Sequence, residues 1–344
     1  MRLGLVGYGV GGRYFHAPFI AAARGVELAG VVTRSPERRA ELAEDFPDVR
    51  AYDSLADLLE AGVDAVTITT PPQTRRELVL QALAAGVPTI ADKPFAPSAE
   101  AGRELVAAAR EAGTPLNVFH NRRWDSDIRT LAAVIEGGAL GELWLVESRM
   151  DQDNAATLET GPTGGLLRDL GSHLVDQVLW LLGPAHTVYA ELDHVDTADG
   201  PTDCRFTVSL THARGVHSRV SASKINHLED RELRAYGSTG SYVAHGTDVQ
   251  AQAVFAGRRP VDGGEAWGYE APERWGTLHA AAGPVSVPSE QGAYQDYYTQ
   301  FAAALRGEQA FPVPAEEAVD TLAVLDAARI SAAENRTVEL LPAH

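Results

Sequence analysis

The chain has 344 residues, 45% of them hydrophobic, which predicts a two-domain globular protein with a substantial core. Acidic residues outnumber basic ones by 47 to 29, and the formal net charge of −18 disfavours nucleic acid and anionic membrane surfaces as partners. A single cysteine, Cys204, excludes an intrachain disulfide, and the scattered histidines lack metal-ligand spacing, so no metal site is predicted. An apolar strand already begins at Leu3, and no apolar run reaches membrane-spanning length. We therefore expect a soluble cytoplasmic protein.

The first 120 residues alternate short apolar strands with helical patterns. The predicted strands are 3–6, 26–32, 64–69, 87–91 and 115–119, and the predicted helices after the first begin near 36, 55, 77 and 99. Ser35, Ser54 and Ser98 are typical N-cap residues for three of these helices. Short, uniformly apolar strands between helices are typical of a parallel sheet covered on both faces. Residues 1–120 therefore predict an α/β, Rossmann-type dinucleotide-binding domain.

Beyond residue 120 the pattern changes to longer, alternating segments. The predicted helices are 126–136, 166–182, 293–305 and 315–333, and the predicted strands are 142–150, 187–192, 204–212, 216–225 and 232–236. Consecutive strands with short turns indicate antiparallel pairing. Residues 256–292, rich in glycine and proline, predict irregular structure. Residues 121–344 therefore predict an α+β domain built on an open, mostly antiparallel sheet; the family resemblance described below implies its role in substrate binding and oligomerisation.

A glycine-rich turn follows the first strand. Gly7 permits a tight turn, Gly9 allows close approach of a pyrophosphate, and Gly12 allows helix and strand to pack closely. The N–H groups at the start of the following helix would face the phosphates. The second strand arrives at the spacing of a βαβ unit, which favours a dinucleotide site over a purely structural turn. The expected cofactor contacts in this turn are Gly7, Tyr8, Gly9, Val10, Gly11 and Gly12.

Residues after the second strand bear on the choice of cofactor. NAD enzymes usually carry an acid there for the ribose 2′-hydroxyl, but here Thr33, Arg34 and Ser35 follow the strand and the first acid is Glu37. An arginine between hydroxyls suits a 2′-phosphate, which a carboxylate would repel. The pattern favours NADP over NAD, with Arg34 as a solvated loop residue as the alternative.

The ends of later strands provide further candidates, because ligands bind at the carboxyl edge of a parallel sheet. Thr70 and Pro71 follow one strand, and Asp92 and Lys93 follow the next. Pro94 restrains Lys93 and directs its side chain away from the sheet edge, towards the nicotinamide end of a cofactor. A surface charge is the alternative for Lys93.

Asp169 and His173 lie four residues apart in a predicted helix that follows Gly164 and Gly165. At that spacing they share one helix face, as an ion pair, a helix cap or a catalytic pair. A histidine can take the hydroxyl proton of an alcohol near neutral pH, and an adjacent carboxylate can fix its tautomer.

The glycine turn, Asp-Lys-Pro at 92–94, Gly-Gly-x-x-x-Asp-x-x-x-His-x-x-Asp at 164–176 and the final helix together resemble the Gfo/Idh/MocA oxidoreductase family. Residues 121–127, Asn-Arg-Arg-Trp-Asp-Ser-Asp, resemble the branch with NADP-linked scyllo-inositol dehydrogenases. The resemblance implies a catalytic set of Lys93, Asp169 and His173, and an assembly of two or four chains. It also implies that cofactor and substrate meet near Asn121. The expected substrate contacts are Lys93, Asn121, Arg122, Trp124, Asp151, Asp153 and His173.

Two residues depart from the family pattern. Asp92 stands where glutamate is usual, and we expect the shorter carboxylate to keep its role. Arg75 stands where many members have histidine, which puts one contact on the cofactor side in doubt.

These features predict an NAD(P)-dependent dehydrogenase or reductase acting on a cyclic polyol or sugar. Two alternatives remain open. One is a regulatory protein that binds NAD(P) without turnover, and the other is a glycosidase that uses hydride transfer transiently.

Overall fold

The computed structural model describes residues 1–161 and 164–340. The described residues group by their contacts into two compact units. The first unit contains Met1–Trp124, Val249–Trp267 and Ala293–Val319. The second contains Asp125–Asp248, Gly268–Gly292 and the chain from Asp320 onward. The division into domains near residue 120 stays a prediction, because grouping by contacts describes how segments pack and not which segments fold as domains.

A parallel sheet forms the centre of the first unit. Its strands are β1 (Arg2–Val6), β2 (Glu27–Val32), β3 (Ala51–Tyr52), β4 (Ala65–Ile68), β5 (Thr89–Asp92) and β6 (Leu116–Phe119). They lie in the order β3-β2-β1-β4-β5-β6, and every neighbouring pair is parallel. The strands are almost wholly buried, as the apolar pattern predicted for all of them except β3, a two-residue strand that the sequence does not predict. Strand order reverses between β1 and β4, which is where open parallel sheets bind ligands.

Helices surround this sheet. They are α1 (Ala17–Ala22), α2 (Pro36–Asp45), α3 (Leu55–Glu60), α4 (Pro72–Ala84) and α5 (Ala99–Glu111). The side chains of Ser35, Ser54 and Ser98 accept N-cap hydrogen bonds, so these predicted caps are confirmed. Helix α4 begins five residues earlier than predicted, because Pro72 occupies the first helical position, where proline is tolerated.

Later segments complete the helices. After β6 come a 3₁₀ turn (Asn121–Trp124) and α6 (Ser126–Glu136). Further along the chain are α7 (Ser172–Leu182), α8 (Val249–Phe255), α9 (Pro260–Gly263), α10 (Tyr294–Leu305) and α11 (Ala315–Glu334). Two π-helical turns, Gly11–His16 and Leu167–Gly171, lead directly into α1 and α7. In the part of the chain that the structure describes, none of the helices combines the length and apolar character needed to cross a bilayer.

A larger sheet forms the second unit. Its strands are β7 (Leu143–Asp151), β8 (Ala185–Thr197), β9 (Gly200–His212), β10 (His217–Ser223), β11 (Asp230–Gly237), β12 (Gly240–His245), β13 (Gly276–Ala280), β14 (Gly283–Val287) and β15 (Val338–Glu339). Their order is β14-β13-β12-β11-β7-β10-β9-β8-β15. Strands β7 and β10 are parallel and the other pairs are antiparallel, which confirms the predicted open, mostly antiparallel sheet.

Residues 256–292 are more regular than the sequence predicts. Strands β13 and β14 form an antiparallel hairpin that pairs with β12 at the edge of the sheet. The hairpin has few buried apolar side chains. Its sequence therefore lacks the alternation of apolar and polar residues by which a strand is predicted. Edge strands gain their order from backbone pairing with a neighbour, which the local sequence does not encode.

Candidate functional site

The glycine turn lies at the carboxyl end of β1, beside the point where strand order reverses. The amide of Gly7 donates to the carbonyl of Val32 at 3.0 Å, and the φ of Gly7 is +106°, a value that favours glycine. A Cβ on Gly12 would lie 2.2 Å from the carbonyl oxygen of Gly7. Gly12 therefore permits the close contact between strand and helix that the sequence predicts.

Tyr8 points its side chain into the protein. It is 1% exposed, and its hydroxyl donates to Asp45 at 2.9 Å. Burial, together with the hydrogen bond to Asp45, raises the pKa of Tyr8 far above its ordinary range. Its hydroxyl thus stays protonated, and Tyr8 can face a ligand at the turn only through its backbone.

Arg38, from the first turn of α2, also reaches the glycine turn. Its Nη1 donates to the carbonyl of Tyr8 at 2.7 Å, and it would lie 2.8 Å from a Cβ on Gly9. The predicted cofactor residues Thr33, Arg34 and Ser35 lie between β2 and α2. Thr33 is buried, Arg34 is exposed, and the hydroxyl of Ser35 caps α2. The sheet edge after β2 therefore carries two exposed guanidinium groups, from Arg34 and Arg38.

Asp92, at the end of β5, is held by several groups. Its Oδ2 accepts from the hydroxyl of Thr69 at 2.8 Å and lies 3.4 Å from Nε2 of His16, and its Oδ1 accepts from the amide of Lys93. Burial would raise the pKa of Asp92, but His16, the charge of Arg75 and the hydrogen bond from Thr69 hold it well below its ordinary range. Asp92 is therefore a carboxylate at neutral pH.

Arg75 is buried behind the loops that follow β4 and β5. One of its nitrogens, Nη2, donates to the carbonyl of Thr70 at 2.8 Å. The other, Nη1, donates to the carbonyls of Asp92 at 3.0 Å and Pro94 at 2.6 Å. These two carbonyls belong to the residues before and after Lys93, and the Lys93–Pro94 peptide is cis. Arg75 thus anchors the main chain around Lys93, a contact that the sequence does not reveal.

His16 packs in the interior of the first unit. It is 1% exposed, its Nδ1 lies 2.6 Å from the hydroxyl of Tyr298, and its ring lies against Phe119. These contacts place His16 among packed aromatic side chains of the first unit.

Residues Asn121–Trp124 form a 3₁₀ turn after β6. Asn121 and Trp124 are buried, and Arg122 is partly exposed. The Trp124 ring packs edge-on against Tyr297 at 5.4 Å, and the main-chain carbonyl of Trp124 accepts from the side chain of Gln250 at 3.0 Å.

Pro71 lies at the start of α4, on the same edge of the parallel sheet.

In the second unit, a glycine pair shapes the start of the segment that carries Asp169 and His173. Gly165 has a φ of +96°, and a Cβ there would lie 1.9 Å from Oδ1 of Asp203. The other oxygen of Asp203 accepts from the amide of Leu167 at 2.6 Å. Asp203, from β9, therefore fixes the main chain where the π-helical turn begins.

Asp169 lies within that π-helical turn, and His173 lies in the first turn of α7. Oδ2 of Asp169 accepts from Nζ of Lys224 at 2.8 Å, and its carbonyl accepts from the hydroxyl of Ser172 at 3.0 Å. His173 is 6% exposed. The segment is not the uniform α-helix that the sequence predicts. In the π-helical turn before α7, hydrogen bonds join residues five apart instead of four apart.

Asp151 and Asp153 differ in their surroundings. Asp151, the last residue of β7, is buried, and its Oδ2 accepts from Nε of Arg149 at 2.5 Å. Asp153 is about half exposed and lies 3.3 Å from Nδ1 of the exposed His227. Of the two, Asp151 is the more firmly positioned.

The chain matches two family models. Residues 1–120 match the oxidoreductase family model with an NAD-binding Rossmann fold, and residues 128–243 match the GFO/IDH/MocA C-terminal domain. The scyllo-inositol 2-dehydrogenase (NADP(+)) IolW of Bacillus subtilis is 30% identical, over 99% of this chain and 96% of the relative. The chain belongs to the Gfo/Idh/MocA oxidoreductase family.

Further comparisons agree with this membership. D-apiose dehydrogenase of Paraburkholderia graminis is 30% identical, over 92% of this chain and 84% of the relative. The crystal structure of an oxidoreductase from Bacillus cereus superposes with a TM-score of 0.89 at 25% identity, covering 100% of this chain and 99% of that one. The predicted family and the prediction of a nicotinamide-dependent oxidoreductase are confirmed.

The glycine turn of this Gfo/Idh/MocA protein fits an NAD(P) pyrophosphate. Gly9 has no side chain to cover its backbone, and Nη1 of Arg38, which would lie 2.8 Å from a Cβ there, places a cationic group beside the turn. The sequence pattern identifies the glycines and marks Arg75 as a departure from the family, but it does not single out Arg38, Asp203 or Lys224. Arg38 could have been found from its place three residues after the cap Ser35, whereas Asp203 and Lys224 bond residues far away in the chain.

Proposed function

We propose that this oxidoreductase uses NADP and moves hydride between the nicotinamide and a secondary alcohol or ketone of a cyclic polyol or sugar. The observation that carries the proposal is the similarity, over nearly the full length of both chains, to a relative named as an NADP(+)-dependent scyllo-inositol dehydrogenase. The similarity to a relative named D-apiose dehydrogenase supports a sugar or polyol as the substrate class.

The residues after β2 support NADP. Arg34 and Arg38 are cationic and exposed, and either can offer a charged hydrogen bond to a 2′-phosphate. No acidic residue precedes Glu37 in that loop, so none follows β2 directly to accept a hydrogen bond from the ribose 2′-hydroxyl of NAD. We assign Gly7, Gly9, Gly11, Gly12 and the backbone of Tyr8 and Val10 to the pyrophosphate. Thr70, Pro71, Asp92, Lys93 and Asn121 are assigned to the rest of the nucleotide.

We assign the proton chemistry to His173, which takes the proton of the substrate hydroxyl in oxidation and returns it in reduction. Asp169, as a carboxylate, orients the imidazole and stabilises its charged form. The ammonium of Lys93 lowers the energy of the alkoxide that forms while the proton leaves. The chemistry that a bound NAD(P) supplies is uptake or return of hydride at the nicotinamide.

A polyol needs several fixed polar partners to be held in one orientation. We assign this role to Asn121, Arg122 and Asp151, with Trp124 as an apolar wall. The half-exposed Asp153 would contribute at the edge. The buried, arginine-paired Asp151 supports this assignment best, because a carboxylate fixed in place needs no reorganisation on binding.

The test is a panel of inositols, aldoses and their keto forms, offered with NADP and with NAD in both oxidation states. We expect a steady change in nicotinamide absorbance with at least one cyclic polyol or sugar, and faster with NADP. Nucleotide binding without turnover on the panel would favour the regulatory alternative. Release of free sugar from glycosides without net nicotinamide change would favour the glycosidase, and absence of nucleotide binding would refute all three.

A further inference from the structure

Lys224 is a buried lysine directly after β10. Its side chain is 4% exposed, and its Nζ donates to Oδ2 of Asp169 at 2.8 Å and to the carbonyl of Thr157 at 3.1 Å. A buried ammonium is costly unless opposite charge and hydrogen-bond acceptors surround it. The ion pair with Asp169, whose side chain is 20% exposed, therefore offsets the burial of the Lys224 ammonium.

The choice of lysine is notable in this chain. Lys93 and Lys224 are its two lysines, against 27 arginines. Ammonium and guanidinium are not interchangeable, because an ammonium is a compact point charge and a guanidinium is a planar fork. One lysine belongs to the proposed catalytic set, and the other touches the carboxylate of that set.

Asp169 is anchored twice within the second unit. Asp203 accepts from the amide of Leu167 and fixes the main chain two residues before Asp169. Lys224 holds one oxygen of the Asp169 side chain. With the main chain fixed and one oxygen held, the direction of the second oxygen is restricted to a narrow range.

We propose that Lys224 is a positioning residue of the reaction, which acts through Asp169 to fix the orientation of the carboxylate that orients His173. The inference rests on the proposed function, because it takes Asp169 and His173 as the pair that moves the proton. Lys224 is assigned no contact with substrate or nucleotide.

A double-mutant cycle tests the coupling, with Lys224→Met, Asp169→Asn and the double variant. We expect Lys224→Met to lower kcat by about 10- to 100-fold, as loss of a supporting partner commonly does, with the Kd for NADP unchanged. In the Asp169→Asn background the same change should cost less than about threefold, and Lys224→Arg should retain more kcat than Lys224→Met. The matched control is Arg219→Met, which removes an exposed cation from β10 and should leave kcat unchanged.

Several outcomes would overturn the inference. If the fold-losses of kcat in the two single variants multiplied in the double variant, Lys224 would act independently of Asp169. A lower Tm with unchanged kcat would mean that Lys224 only ties β10 to the segment around Thr157.

The imidazole ¹⁵N spectrum of His173, assigned with His173→Ala, gives a readout that needs no turnover. We expect the His173 signals to move in both Asp169→Asn and Lys224→Met, and to move no further in the double variant. A response to Asp169→Asn but not to Lys224→Met would refute the role of Lys224 and leave the proposed catalytic pair intact. No response to Asp169→Asn would refute the pair, and the inference with it.

Discussion

At the level of single residues, Arg75 shows how one side chain can hold the main chain on both sides of another residue. Its guanidinium bonds the carbonyls on both sides of Lys93. Arg75→Met removes the donor from three carbonyls, so we expect the free energy of unfolding to fall by on the order of 1–3 kcal/mol. We also expect kcat to fall, because the Lys93 main chain loses its anchor. Thermal denaturation and steady-state kinetics measure the two effects.

The control for this variant is Arg76→Met, one residue further along α4. Arg76 is exposed and pairs with Glu104 in solvent, so little change is expected in either measurement. If Arg75→Met lost stability but kept its full kcat, Arg75 would be a structural residue with no influence on Lys93.

His173→Ala should separate chemistry from cofactor binding. Because the imidazole is assigned to the substrate proton, we expect kcat to fall by about 100- to 10,000-fold with the Kd for NADP nearly unchanged. Steady-state kinetics and nucleotide titration check this, with His217→Ala, an exposed histidine of β10, as the control. Equal losses of turnover and nucleotide affinity would show that the role of His173 is misassigned.

Arg34→Ala should change the preference between cofactors. Loss of a charged hydrogen bond to the 2′-phosphate is expected to weaken NADP by about 10- to 100-fold and to leave NAD nearly unaffected. Titration of both nucleotides measures this, and Arg24→Ala removes an exposed charge elsewhere in the same unit. A parallel loss for NADP and NAD would contradict the phosphate assignment. Arg38→Ala in the same titration measures how much of the NADP affinity each of the two guanidinium groups supplies.

At the level of elements, the junction between β1 and the helix that follows it depends on the absence of a side chain at Gly12. Gly12→Ala would bring a methyl group to 2.2 Å from the Gly7 carbonyl, so strand and helix would have to separate. We expect both the stability and the nucleotide affinity to fall. Thermal denaturation and nucleotide titration measure the two effects. Gly62→Ala, where φ is +80° and no atom is near, should cost about 1 kcal/mol and leave nucleotide affinity intact. Wild-type nucleotide affinity in Gly12→Ala would disprove the role of this contact.

Elements with strong local patterns were predictable, and those without them were not. The strands of the parallel sheet other than β3, and the caps Ser35, Ser54 and Ser98, follow from apolar runs and single serines. The hairpin of β13 and β14 depends on pairing with β12 and has little pattern of its own. The contact of Lys224 with Asp169 spans 55 residues, and that of Asp203 with Leu167 spans 36, so no local signal encodes either one.

At the scale of the whole molecule, we propose that the chain forms a homodimer or homotetramer. Each chain carries a net charge of −18, so like-charged copies repel one another at low ionic strength. We expect light scattering to give the mass of two or four chains, and added salt to strengthen the association. A single-chain mass at both low and moderate salt would refute the proposal. Cytoplasmic location also stays a prediction, which fractionation of the source cells can test.

The scarcity and placement of lysine have a practical consequence for handling the protein. Besides the exposed α-amine of Met1, amine-reactive resins, dyes and crosslinkers meet one lysine directly after β5 and another whose side chain is 4% exposed. Conjugation through lysine is therefore expected to reach Lys93 first and to inactivate the molecules that it captures. The 47 carboxylates are far more numerous, so carbodiimide coupling is the better route for immobilising the protein in a working state.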